Sequence, residues 1–332
     1  MIYPTITGLD IGHHSIKAVS VRLKKGQLEL VACFELLLPE SAFIDANTLH
    51  IEEIKPYLSQ LKKKLKLNQK RIAFSIPDSS IISKVIQIDS QLDEKETEFA
   101  IAHTFEQQSS FSQEELSIDY VEIKQRDVLS TQMVTYQIFA TRKDVVQSRQ
   151  NSFKSAGFSP VLADAHSHGL LALWQQAVLV YPTNSNWMLV DIGHLQTTFC
   201  IAPPTGNFYS KSVAFGASLS VSETEKMEDV PINLSTETKF FAQLFAHIQR
   251  QSTLYSSTHH HKVEGIWLTG GGSMIPGLSD LLSYELSLPV IELVLPSLIN
   301  VSHKKIMQPN KQANQYASAL GLALRGVKWL TR

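Results

Sequence analysis

Two apolar spacings alternate along this chain, one with the period of a strand and one with the period of a helix. Ile16 to Leu23 and Leu28 to Leu38 are strand-like runs broken by Lys24-Lys25-Gly26, which reads as a turn. Ile51, Ile54, Leu58, Leu61 and Leu65 then share one helical face over Ile51 to Leu67, with Lys62, Lys63, Lys64 and Lys66 around them. Pro56 is expected in the first turn of that helix, where a missing N–H costs nothing. The lysines read as its solvated face rather than as a lipid-binding patch. From Lys70 to Lys143 strands alternate with one acidic helix near Asp93-Glu94-Lys95-Glu96 and end in the strand Met133 to Thr141. A helix ends over Asn151 to Gly157, Pro160 to Ala163 is a strand, and Gly169 to Val180 is a helix crossing to a second half. Pro182-Thr183-Asn184-Ser185-Asn186 is a polar turn that marks the boundary. The second half opens as the first does, with Trp187 to Ile192, Thr197 to Ala202 and Asn207 to Val213 as a meander. Phe240, Phe241, Leu244, Phe245 and Ile248 follow as a helical core stripe.

The repeated opening carries chemistry as well as pattern. Gly8-Leu9-Asp10-Ile11-Gly12 and Leu189-Val190-Asp191-Ile192-Gly193 are matching runs that end in Asp-Ile-Gly, with Ser15 following one and Thr197 and Thr198 the other. A doublet of this kind predicts two similar half-domains, each starting with a hairpin whose tight turn faces a shared ligand. Phosphate suits such turns: glycine lets backbone N–H groups approach an anion, a hydroxyl adds a donor, and a carboxylate can hold a hydrated divalent cation. A third glycine turn, Thr269-Gly270-Gly271-Gly272-Ser273-Met274, runs from the strand Gly265 to Thr269 towards the helix Leu278 to Leu286 and sets N–H groups and a positive helix end beside a ligand. It is neither a Walker A loop nor a Rossmann fingerprint, because the Gly-Lys-Ser/Thr and G-x-G-x-x-G spacings are absent.

Composition narrows the class. With 332 residues and 43 % apolar content the chain is long enough for two cores, and a formal net charge of −1 gives no global electrostatic argument for nucleic acid, which is not expected as a partner. Its two cysteines, Cys33 and Cys200, sit in apolar runs and read as small core hydrophobes in a reducing compartment. No apolar stretch of about 20 residues occurs, so direct membrane insertion is not expected, and no export signal is read at the N-terminus. His259-His260-His261 follows Ser256-Ser257-Thr258 in what reads as a polar loop, where successive side chains diverge and do not make a metal site.

In order and spacing these segments resemble the actin-like ATPase superfamily, and within it the PilM family of type IV pilus assembly proteins. The likeness runs through Ala73-Phe74-Ser75-Ile76-Pro77-Asp78, Ile118-Asp119-Tyr120, Ala140-Thr141-Arg142-Lys143-Asp144-Val145, Ala163-Asp164-Ala165, Lys211 to Gly216 and the ending Ala319 to Gly326. It implies an α/β, actin-like (ribonuclease H-like, duplicated) fold with two domains around a central cleft and an inserted subdomain of the FtsA/PilM type. Residues 1–69 and 144–182 would form the first actin-like subdomain, 70–143 the insert, 183–216 and 262–332 the second, and 217–261 a shortened helical subdomain. It also implies ATP and Mg²⁺ as ligands. Asp10 and Asp191 would hold Mg²⁺ through water; Gly12, Ser15, Lys17, Gly193 and Thr197 would face the phosphates; Gly270, Gly271, Gly272 and Met274 would face the adenosine.

Departures from the family pattern point away from turnover. His13-His14 stand where relatives carry small residues, His194-Leu195-Gln196 crowd the second turn, and His166 replaces an acidic residue two positions after Asp164. The Ala-Glu-x-x-Lys helix that reaches the ribose is missing, for Glu223, Glu225 and Lys226 lack its spacing. The leading expectation is therefore a non-catalytic scaffold, peripheral at the inner face of the cytoplasmic membrane, with an eroded nucleotide site and no catalytic residue. It would bind the cytoplasmic N-terminal tail of a PilN-like single-pass inner-membrane protein of a pilus, competence or related machine. The alternatives are a slowly hydrolysing ATPase and a small-molecule kinase of the same superfamily, and self-association stays open.

Overall fold

The computed structural model describes residues 5–45, 47–107, 112–123, 132–204, 208–221, 234–301 and 311–331. In chain order the first half comprises β1 (Thr5–Ile11), β2 (Ser15–Lys24), β3 (Gln27–Leu37), α1 (Ile51–Lys64) and β4 (Arg71–Ile76). Next come β5 (Ile81–Asp89), α2 (Glu94–Gln107), β6 (Leu116–Glu122) and β7 (Met133–Arg142), then α3 (Lys143–Ser155), β8 (Ser159–Ala165) and α4 (His166–Val180). The second half holds β9 (Trp187–Ile192), β10 (Thr197–Ile201), β11 (Tyr209–Val213), α5 (Ser218–Val221), α6 (Leu234–His259), β12 (Gly265–Thr269), α7 (Leu278–Leu286) and β13 (Val290–Glu292). β14 (Asn300–Val301) and α8 (Ala317–Leu330) close the chain.

The duplication expected from the paired turns is built into the sheets. One sheet runs β14-β3-β2-β1-β4-β8 and the other β11-β10-β9-β12-β13. Leaving β14 aside, each is an antiparallel meander extended by two parallel strands, so β1 and β9 hold equivalent places. Both are central strands of their sheets and almost wholly buried, hence their nearly continuous apolar runs. α8 and α4 lie between the halves in one core that joins Ile6, Val19 and Leu322 to Leu189, Phe199 and Trp267. On the opposite face of the first sheet α1 and α3 bury Ile54, Leu58, Leu61 and Phe153 against Leu36 and Phe74. Each such aliphatic side chain contributes about 2 kcal/mol by leaving water.

Three boundaries differ from the sequence expectation. Pro56 lies in the second turn of α1, since Ile54 N–H already donates to the His50 carbonyl. The carbonyl it leaves without an N–H belongs to exposed Glu52. β4 belongs to the six-stranded sheet, paired with β1 and β8, so the separate three-stranded sheet β5-β7-β6 starts only at Ile81. His259 ends α6 with its ring stacked on Tyr255 instead of lying in a loop. Glu223, Glu225 and Lys226 lie outside the described residues.

Candidate functional site

The two Asp-Ile-Gly turns meet across the cleft. β1 and β9 each end at their turn, which places Asp10 and Asp191 at corresponding strand ends. Both turns close in the same way: Gly12 N–H donates to the Ser15 carbonyl at 3.0 Å, and Gly193 N–H to the Gln196 carbonyl at 2.9 Å. The histidines that follow the glycines occupy the mouth. His14 and His194 bring their rings to 5.1 Å, one from each half, and His13 stacks on Phe43 at 4.1 Å. Burial first, and then the charge of a neighbouring imidazole, that of His194 on His13 and that of His14 on His194, hold the His13 and His194 imidazoles below their ordinary value.

The hydroxyl and amine groups predicted to face phosphate are engaged within the protein. Ser15 is fully buried, and its Oγ donates to Glu35 Oε1 at 2.8 Å. Lys17 stands opposite Glu35 in the β2–β3 register, and its Nζ lies 2.7 Å from Ser15 Oγ and 3.7 Å from Glu35. Gln315 holds the other Glu35 oxygen at 2.8 Å. In the second half Thr197 Oγ1 donates to the Phe215 carbonyl at 2.8 Å, and Thr198 pairs with Ser212 at 2.9 Å. Strand alternation explains this, because a residue just past the turn points into whichever face the core requires.

A band of carboxylates and imidazoles lies below the turns. Ser75 Oγ donates to Asp10 at 3.3 Å, and His166 Nε2 approaches Asp191 Oδ2 at 3.7 Å. Burial alone would push the His166 imidazole down. The close Asp191 carboxylate, together with the charges of Asp10 and Asp78, outweighs it and holds the group up at about 9. Asp78 accepts from the Ser167 backbone N–H at 3.1 Å and from its Oγ at 2.7 Å, so it caps the N-terminus of α4 from outside that helix. Asp164 is tied to His168 Nδ1 at 2.8 Å and to Arg325 Nε at 2.6 Å. Burial would raise the Asp164 carboxyl, but the His168 bond and the Arg325 guanidinium keep it below the usual carboxylate value.

The third glycine turn is closed from behind. Gly270 takes a positive φ of 83°, and its N–H donates to the Asn314 carbonyl at 3.0 Å. Gly272 packs on the Ile192 side chain, Gly271 opens to empty space, and Met274 is half-buried at the end of the turn. Away from this cleft, a cavity of about 450 Å³ opens between α2, β6 and the first residue of α3. Ile101, Leu116, Ile118 and Tyr120 make its apolar wall, with Glu98, Glu114 and Lys143 at its edge.

The sequence profile of the family described as type IV pilus assembly protein PilM matches residues 8–327. The chain belongs to the PilM family. Among solved structures it is similar to a chain of a PilM-PilN type IV pilus biogenesis complex, at 20 % identity and a TM-score of 0.75, over 98 % of this chain and 99 % of that one. It also superposes on the nucleotide-free diol dehydratase-reactivating factor, at 8 % identity and a TM-score of 0.54 over 99 % and 100 %. A Bacteroides thetaiotaomicron protein with an actin-like ATPase fold follows, at 11 % identity and a TM-score of 0.47 over 97 % and 98 %. The fold is thus that of the chain in the PilM-PilN complex, duplicated across the two sheets. Several cleft residues of this PilM-family chain were not singled out from the sequence. His168 stands four residues after Asp164, an i, i+4 spacing that signals the contact. Arg325, Asp78 and Glu35 reach the cleft through tertiary packing and leave no local signal.

Proposed function

We propose that this PilM-family protein is a cytoplasmic, non-catalytic actin-like scaffold of a type IV pilus, competence or related assembly machine. It holds the cytoplasmic N-terminal tail of a PilN-like single-pass inner-membrane protein, and so sits at the inner face of that membrane. The observation that carries this reading is the full-length likeness to a chain solved in a PilM-PilN complex. No helix of the described residues is long and apolar enough to cross a membrane, so a membrane-anchored partner supplies the attachment. The cavity between the three-stranded sheet and α2 supports a docking place for an extended peptide, with an apolar wall for a side-chain anchor and charged groups at its rim. Immobilised tail peptide should retain the protein from solution; failure to retain it contradicts the reading.

ATP with Mg²⁺ is the group that the superfamily implies, and the residues present do not fit it. Ser15 and Thr197 donate to Glu35 and to the Phe215 carbonyl, Lys17 is drawn to Ser15 and paired with Glu35, and the His14–His194 contact stands between the two turns where phosphates would lie. His166 lies against Asp191, one of the two carboxylates a hydrated cation would need. Asp10, Gly12, Gly193 and the open side of Gly271 remain as traces of the cradle. In this reading they keep the turn geometry and do no chemistry. Titration with ATP and Mg²⁺ should give no heat and no thermal shift. Micromolar binding abolished by Asp10→Ala restores the nucleotide reading.

A further inference from the structure

Against the sequence expectation that the lysines of α1 form only a solvated face, we propose that the end of the first sheet farthest from the cleft is a docking surface for a bilayer rich in anionic lipid headgroups. From Ile54 to Pro77 the chain contains no Asp or Glu, while it carries Lys55, Lys62, Lys63, Lys64, Lys66, Lys70 and Arg71. Lys55 pairs with Glu52. None of the other six has a carboxylate partner among the described residues.

The fold gathers these cations at one place. α1 ends in Lys62, Lys63 and Lys64, and the turn that follows is pinned to β1 by Thr7 Oγ1 donating to the Gln69 carbonyl at 2.7 Å. β4 starts at Arg71 and runs parallel to β1, so this turn lies at the strand end opposite Asp10. Lys154 joins from the end of α3, beside Gly157, over which the Lys62 amine lies. At the tip, between Lys66 and Lys70, is Leu67, 83 % exposed and the most exposed large hydrophobic side chain among the described residues.

That leucine decides the partner. Lysines around a projecting aliphatic side chain fit an interface where charge meets phosphate and the apolar tip enters the acyl boundary. Nucleic acid would call for an exposed aromatic face on which bases stack, and this surface has none. The bilayer's proximity rests on the proposed recruitment by a membrane-anchored partner, but its binding does not require that partner. Tail and lipid together would act as two linked attachments, each raising the effective concentration of the other.

Flotation with vesicles tests this, with no partner present. Phosphatidylcholine vesicles containing about 30 mol % phosphatidylglycerol should carry the protein, and plain phosphatidylcholine should not. Binding should vanish in about 0.5 M salt, where charge is screened within a few ångströms. The triple variant Lys63→Gln, Lys64→Gln, Lys66→Gln should bind about a hundredfold more weakly, and Leu67→Ser about threefold more weakly. Both variants should keep the parent melting profile and the parent retention on tail peptide, which separates this inference from the proposed scaffold role. Absent binding, equal binding to neutral vesicles, unchanged binding of either variant, or tighter binding of a single-stranded oligonucleotide would overturn it.

Discussion

Residue by residue, the cleft spends its polar groups on itself. Thr197 Oγ1 is buried and donates to the Phe215 carbonyl. Thr197→Val should therefore destabilise the protein by about 1–2 kcal/mol in denaturant unfolding, because a buried carbonyl loses its donor. A phosphate-facing hydroxyl at a solvated turn would give almost no change. Asp164 offers a second test, through pH. Its folded value lies below the ordinary one, so the ionised carboxylate adds stability that is present above that ordinary value and is lost as pH falls through the folded one. Asp164→Asn should cost about 2–4 kcal/mol at neutral pH, by stranding Arg325 and His168, and the gap between variant and parent should close in acid. The sequence made Asp10, Gly12, Asp191 and Gly193 legible because they repeat. It could not show that Ser15 and Lys17 turn to Glu35, since that needs the β2–β3 register.

Among the elements, helices and sheet meet at glycines. A methyl group at Gly8 on β1 would strike the Ala319 carbonyl of α8, and one at Gly321 on α8 would strike the Gly169 backbone of α4. These contacts let α4 and α8 cross closely between the halves. Gly321→Ala should cost about 2–3 kcal/mol in thermal or denaturant unfolding, as overpacking against backbone does. Gly271→Ala, which meets empty space, should leave stability within about 0.5 kcal/mol. Periodicity placed α1 and the stripe on α6, where Phe240, Leu244 and Ile248 are buried, because one face of each is apolar. It misplaced Pro56 by a turn, because a proline at a solvent-facing position disturbs no buried hydrogen bond. β14 carried no signal: two residues pair with β3 only because the chain returns to the first sheet.

At the scale of the molecule, two sheets of one design around a shared core are what the repeated Asp-Ile-Gly runs imply. The three-stranded sheet was legible as a run of alternating strands, but its start was not, since β4 reads like any other strand and only its pairing with β1 and β8 assigns it to the first sheet. In the cleft the Ser15 and Thr197 hydroxyls face inward, to Glu35 and the Phe215 carbonyl. Its working surfaces, in the account given above, are the cavity beside the three-stranded sheet and the basic end of the first sheet. Calorimetric titration of the nucleotide-free protein with the N-terminal tail peptide of its PilN-like partner, repeated with ATP and Mg²⁺, tests that account most directly. Saturable binding with the same affinity in both titrations is the predicted result; no binding, or binding that appears only with the nucleotide, would contradict it.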